Sequence, residues 1–208
     1  MDKLDFKKDA PELYRPRPER FCVVDVPAMS FLMVDGSGDP NTSDDYARAV
    51  AALYSLSYTA KFAAKARLGR DHVVAPLEGL WWADDMATFH SRQKDRWSWT
   101  MMIRQPDWID ANVVEDARAA RLDRTSDPKA DAKALSTVRL ETFAEGRCVQ
   151  ALHIGPYDDE GPLLEEMHDR FIPAQGLRMR GKHHEIYLSD PRRTDPSRLR
   201  TILRQPVE

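Results

Sequence analysis

The stretch Val138-Arg139-Leu140-Glu141-Thr142-Phe143-Ala144-Glu145-Gly146-Arg147-Cys148-Val149-Gln150-Ala151-Leu152-His153-Ile154 decides how the chain is read. Its two ends, Val138–Phe143 and Cys148–Ile154, carry apolar residues that suit a pleated sheet. Ala144-Glu145-Gly146-Arg147 between them has the look of a tight turn, so the stretch is predicted to be a hairpin. Downstream, Gly155, Pro156 and the acidic Asp158-Asp159-Glu160 make a turn, and Pro162 suits a first helical position. Leu163, Met167 and Phe171 then predict a short amphipathic helix ending before Pro173 and Gly176. Lys182–Ser189 and Leu199–Leu203 are predicted strands, the second closed by Pro206.

Upstream the same order recurs. Arg20–Val26 and Met29–Val34 are apolar runs separated by Pro27 and Ala28, which predicts another hairpin, ended by Asp35–Asn41. A helix follows, capped by Thr42 or Ser43, with Asp44 and Asp45 at its positive end. Tyr46, Val50, Leu53, Ser57, Ala60 and Ala64 form one packing stripe, and Gly69 stops the helix after Lys61, Lys65 and Arg67. Leu77–Ala83 and Trp97–Arg104 are predicted strands joined by the polar connection Asp84–Arg96. Trp108–Arg124 is predicted helical, with Ile109, Val113, Ala117 and Ala120 on one face; Pro128 interrupts it and Ala130–Leu135 adds a turn. Met1–Pro18, punctuated by Pro11, Pro16 and Pro18, reads as an extended arm. The expectation is an α+β chain. An arm (1–18) precedes a single domain (19–208) of two modules (19–106 and 136–208), each read as a hairpin, a helix and a hairpin. A helical connector (107–135) joins them, the sheets are antiparallel, and a ligand groove lies between the modules.

Composition narrows the function. Lys plus Arg is 31 against 34 for Asp plus Glu, a net charge of −3 that argues against a nucleic-acid partner. Arg192-Arg193 and Arg198-Leu199-Arg200 read as solvated surface. No apolar N-terminal run and no window of about 20 apolar residues occurs, so neither a signal peptide nor a membrane partner is expected. Cys22 and Cys148 lack zinc spacing and sit in apolar runs, as buried thiols of a reduced, cytoplasmic protein would. Gly36-Ser37-Gly38 is a turn without the ending of a phosphate loop, and there is no GxSxG nucleophile motif. Any catalysis is therefore expected to be acid–base chemistry on water, with no cofactor.

Alternation assigns faces. Ile186 and Leu188 share one side of the strand at 183–188, toward the helices; His183, Glu185 and Tyr187 share the other. Trp81 and Trp82 point oppositely, so one is core and one faces the groove. Trp97, Trp99, Met101 and Ile103 share a face, opposite Ser98, Thr100 and Met102. Five Trp and eight Met suit an apolar, adaptable pocket. A carboxylate there attracts a cation, aided by indole faces, and a partly desolvated one is a natural general base. His183 and Glu185 share a face but have no third ligand at metal spacing, so no metal site is expected. Ligand contacts are expected from Trp81, Trp82, Trp99, Met101, His153 and His183.

The chain resembles the GyrI-like small-molecule-binding proteins in their stand-alone form, which are related to multidrug-binding domains of transcription regulators. The resemblance is carried by Pro76-Leu77-Glu78-Gly79-Leu80-Trp81-Trp82, by Val149–Glu160 with its His153-Ile154-Gly155-Pro156-Tyr157, by Gly181–Arg193 with its His183-His184-Glu185-Ile186-Tyr187, and by Leu199–Val207. It implies a duplicated strand–helix–strand–strand fold whose groove takes lipophilic, often cationic or aromatic, compounds, with a glutamate matching Glu185 as the key polar contact. It also implies that some stand-alone members hydrolyse cyclopropane rings of DNA-alkylating natural products. On that reading Glu185, Tyr157 and Tyr187 are the catalytic residues, and Trp82 assists. Two other readings stand beside it: a non-catalytic protein that sequesters drugs or toxins, and a modulator of gyrase. Exposed edge strands would suit a homodimer.

Overall fold

The computed structural model describes residues 3–18, 20–84, 93–123 and 131–208. In chain order the elements are α1 (Phe6–Asp9), α2 (Pro11–Tyr14), β1 (Cys22–Ser37), α3 (Asp44–Leu68), β2 (Leu77–Trp82), β3 (Ser98–Gln105), α4 (Ala111–Leu122), α5 (Ala132–Thr137), β4 (Arg139–Ile154), α6 (Gly161–Glu165), a π-helical turn (Glu166–Phe171), α7 (Ile172–Ala174), β5 (His183–Tyr187) and β6 (Arg200–Pro206). The α+β class holds, and strand, helix, strand, strand occurs twice, as β1-α3-β2-β3 and as β4-α6-β5-β6. Most of the connection Asp84–Arg96, together with Arg124, Pro128 and Ala130 of the connector, lies outside the described residues.

Both predicted hairpins are instead single strands of 16 residues. In β1, Pro27 and Ala28 are exposed. Proline's fixed φ lies in the extended range, so a strand passes through it where no ladder bond is needed. In β4, Gly146 has φ 75° without ending the strand, the backbone geometry of a bulge. Glu145, read as a turn residue, is 2% exposed and therefore belongs to the interior. The helix predicted to stop before Pro173 continues to Ala174. Pro173 falls in the first turn of α7, where its missing N–H is not needed. The arm is not simply extended: α1 and α2 bury Phe6, Leu13 and Tyr14.

The chain divides into two compact units, and β1, β2 and β4 each contribute to both. The first comprises Met1–Asp5, Met29–Ala75 and Trp81–Phe143. Its strands neighbour in the order β1, β3, β2, with Ser30–Ser37 of β1 antiparallel to Ser98–Gln105 of β3. Ser43 caps α3 by accepting from the Tyr46 N–H, and Gly69 ends it at φ 64°. The helix buries Leu53, Ser57, Ala60 and Ala64 as expected, while Tyr46 and Val50 are half-buried and Ala49, Ala52 and Leu56 join the core. The buried face of α4 is Val114, Ala117 and Arg121; Val113 is half-buried and Ala120 exposed. An arginine's aliphatic stem packs like an apolar residue, which counting hydrophobes overlooks.

The second unit comprises Phe6–Ala28, Pro76–Leu80 and Ala144–Glu208. Here the strand order is β2, β5, β6, β4, and β6 runs antiparallel to both β5 and β4. Its apolar centre is Val149, Ala151, Met167, Ile172, Leu203 and Val207. Cys148 is fully buried and Cys22 only half-buried. Among the described residues no helix is long and apolar enough to cross a membrane.

Candidate functional site

Strand β5 has two chemically different faces, and its alternation produces both. His184 and Ile186 are buried, whereas His183, Glu185 and Tyr187 are half-buried on the opposite side. The register of β5 on β6, Glu185 opposite Leu203 and Tyr187 opposite Thr201, fixes that assignment. The Tyr187 hydroxyl donates to Glu185 Oε2 at 2.8 Å. Glu185 Oε1 faces His183 Nε2 at 3.6 Å, beyond hydrogen-bond length. The Tyr157 ring stands edge-on to Tyr187 with centroids 5.7 Å apart. His168, carried by the π-helical turn, stands edge-on to His183 at 6.0 Å. The Glu185 side chain is 15% exposed, shielded but reachable. One carboxylate oxygen is thus held by a phenol, and the other is placed to accept a proton or face a cation.

The inner face of β5 opens onto a polar network entirely within the second unit. His184 Nδ1 donates to Glu145 on β4 at 3.0 Å, and Nε2 donates to Glu78 on β2 at 3.0 Å. With a carboxylate on each nitrogen, the ring is an imidazolium. Burial opposes that charge, but Glu145 beside it and the hydrogen bonds to Glu145 and Glu78 push the pKa up to about 9. Burial likewise works against the Glu145 carboxylate, yet His184 and Arg204 hold it down at about 2. Arg204 donates to Glu145 at 3.3 Å, to Gln150 Oε1 at 3.0 and 2.9 Å, and to the Leu13 carbonyl at 2.8 Å. Tyr14 closes the set by donating to Glu78 at 3.0 Å. None of these residues is more than 2% exposed.

This network is what sequence reasoning missed. Part of its signal was there: Glu78 is the one charge in the apolar run Leu77–Trp82, and a charge in that position is almost never buried unpaired. Glu145 was hidden by the apparent turn. The thiol of Cys148 is pushed up to about 12 by burial and by the nearby Glu145 charge, which leaves it inert as a nucleophile.

Of the other expected ligand contacts, His153 is 9% exposed and its Nε2 lies 3.0 Å from the Pro156 carbonyl. It borders a cleft of about 360 Å³ together with Pro18, Leu152, Ile154, Asp159, Pro162, Leu163 and Glu166. Glu185 and Tyr187 do not line that cleft. Trp81, Trp99 and Met101 lie in the first unit's core, at 4%, 1% and 0% exposure. Tyr46 packs face-on against Trp81 and edge-on against Trp99, and Trp97 meets Trp81 edge-on. Trp82, on the opposite side of β2 from Trp81, is half-buried.

Comparison with known proteins sets these observations in a family. The chain is 43% identical to an uncharacterized conserved protein from Listeria innocua, whose crystal structure matches with a TM-score of 0.88 over 99% of this chain and 100% of that one. It is 40% identical to a hydrolase from Listeria innocua, with a TM-score of 0.83 over 99% of this chain and all of the other. The C-terminal domain of EcmrR, 11% identical, matches with a TM-score of 0.55 over 91% of this chain and 97% of that one, a likeness of fold alone. No curated protein gives a significant match. A model of the GyrI-like small molecule binding domain matches from residue 21 to residue 208. Since that match takes in both strand–helix–strand–strand runs and all of β5, this chain belongs to the GyrI-like small molecule binding domain family.

Proposed function

We propose that the protein binds lipophilic small molecules beside Glu185 and adds water to a strained ring in them, the substrate class being cyclopropanes conjugated to a carbonyl. One observation carries this reading: the Tyr187 phenol holds Glu185 Oε2, leaving Oε1 to work on water within a shielded site. Membership of a small-molecule-binding family supports the binding half. Two crystal structures of a Listeria innocua hydrolase, 40% and 41% identical over nearly the full chain, support the hydrolytic half.

In this reaction Glu185 Oε1 takes a proton from water as the water oxygen bonds to a ring carbon. The ring carbon–carbon bond breaks, and its electron pair moves through the conjugated system onto the carbonyl oxygen. Tyr157 donates a hydrogen bond to that oxygen as its charge grows. Glu185 then returns the proton there, so that one water is added and nothing is left over. A positioned base of this kind contributes about 100-fold to 10,000-fold.

Incubation with a cyclopropane-bearing alkylator in ¹⁸O-water tests the reading by mass spectrometry. The expected product is the parent compound plus one water, with the label in the new hydroxyl. Recovery of the unchanged compound bound to the protein would replace hydrolysis with sequestration.

A further inference from the structure

The N-terminal segment reaches into the network behind β5 at three points. Tyr14 donates to Glu78, the Leu13 carbonyl accepts from Arg204, and the Glu12 carbonyl accepts from Gln150 at 2.7 Å. Glu78 and Glu145 in turn hold both ring nitrogens of His184, and Arg204 bridges Glu145 and Gln150. His184 is the immediate neighbour of Glu185 on a five-residue strand. Buried ionic networks are weak sources of stability compared with apolar packing of the same volume, and their best-attested use is to fix one arrangement of the chain. A half-satisfied network is worse than none, so each member depends on the others.

We propose that Glu12–Tyr14 is a latch that positions Glu185: the segment holds Glu78 directly and Glu145 by way of Gln150 and Arg204, the two carboxylates hold His184, and His184 fixes the strand that presents Glu185 and Tyr187 on its other face. Tyr14 and His184 are positioning residues on this account, because neither shares the face of β5 that carries Glu185. The matching family model begins at residue 21, so the latch lies outside it. The inference rests on Glu185 being the working carboxylate. Adjacent residues of a strand point oppositely but share a backbone, so a displacement at His184 is passed on to Glu185. A misplacement of about 1 Å is enough to cost about 100-fold in rate.

The test is Tyr14→Phe in the full chain, which removes only the hydroxyl. Hydrogen–deuterium exchange across 183–187 is expected to quicken about tenfold or more, while exchange across 98–105 changes less than about twofold. With a cyclopropane substrate, kcat is expected to fall about tenfold with KM inside about twofold. Unchanged protection at 183–187, or equal loosening of both strands, would overturn the latch. If the parent protein turns nothing over, the hydrolytic reading fails while exchange still decides the latch. Should Tyr14→Phe not fold, histidine ring NMR of the parent at neutral pH decides: His184 protonated on both nitrogens is required, and a neutral ring overturns the proposal.

Discussion

Gly36 shows how much a single residue can settle. It lies directly opposite Trp99 in the β1–β3 register, and a Cβ placed there would come within 2.1 Å of the indole ring. Trp99 is 1% exposed, so the ring has no room to move aside. Gly36→Ala is therefore expected to destabilise the protein by about 2–3 kcal/mol, measured as a lowered urea midpoint at unchanged slope. An unshifted midpoint would mean that the indole is loosely held. The same scale shows what the sequence could disclose at the site. The alternation His183, Glu185, Tyr187 was legible because period-two patterning assigns faces without further information. The partners of His184 were not legible. They come from two other strands, Glu145 39 residues away in sequence and Glu78 106 residues away, and only strand pairing brings them together.

Elements were read best where their ends carry their own chemistry. Helix α3 begins at the serine cap and ends at the left-handed glycine that the sequence marks. Ser43→Ala removes the hydroxyl that accepts from the Tyr46 N–H and is expected to cost about 1 kcal/mol in thermal or urea unfolding. No loss would show that Tyr46 anchors the first turn without the cap. Strands β1 and β4 were misread for one shared reason. Pro27 and Gly146 are turn residues by propensity, but propensity is a weak prior, and both strands run on through them. In β4 the decisive fact is the burial of Glu145, a tertiary property that no local window contains.

For the molecule as a whole, the ionisable groups set a pH window. His184 titrates at about 9 when folded against 6.5 when unfolded. Its contribution to stability is complete below pH 6.5 and fades as pH rises through about 9. Glu145 has the opposite sense: its contribution is complete above pH 4.5 and is lost as pH falls toward about 2. His72 is fully buried, and burial, with Lys61 nearby, lowers its pKa to about 4. The unfolded chain therefore binds a proton that the fold refuses, and stability drops as pH falls below 6.5. Maximum stability is expected near pH 6.5, with an alkaline limb belonging to His184. His184→Gln should flatten that limb while lowering stability at pH 6.5 by about 3 kcal/mol, because two carboxylates lose their cation. An alkaline limb of unchanged slope in the variant would assign it to another group. The α+β class and the doubling were legible at this scale, since element type follows from periodicity, whereas the single long strand that opens each run was implied only by the family resemblance. The buried charges were not, since their pairing follows from register.

The proposed hydrolysis requires Glu185 to do chemistry, not merely to attract a ligand. Glu185→Gln keeps the shape of the side chain and its bond from Tyr187 while removing the base. Affinity for a cyclopropane-bearing compound, followed by quenching of tryptophan fluorescence, and the rate of water addition, followed by mass spectrometry, are measured on the same sample. If Glu185 is the base, affinity stays within about threefold of the parent and the rate falls by about 100-fold or more. Turnover at the parental rate in the glutamine variant would contradict it.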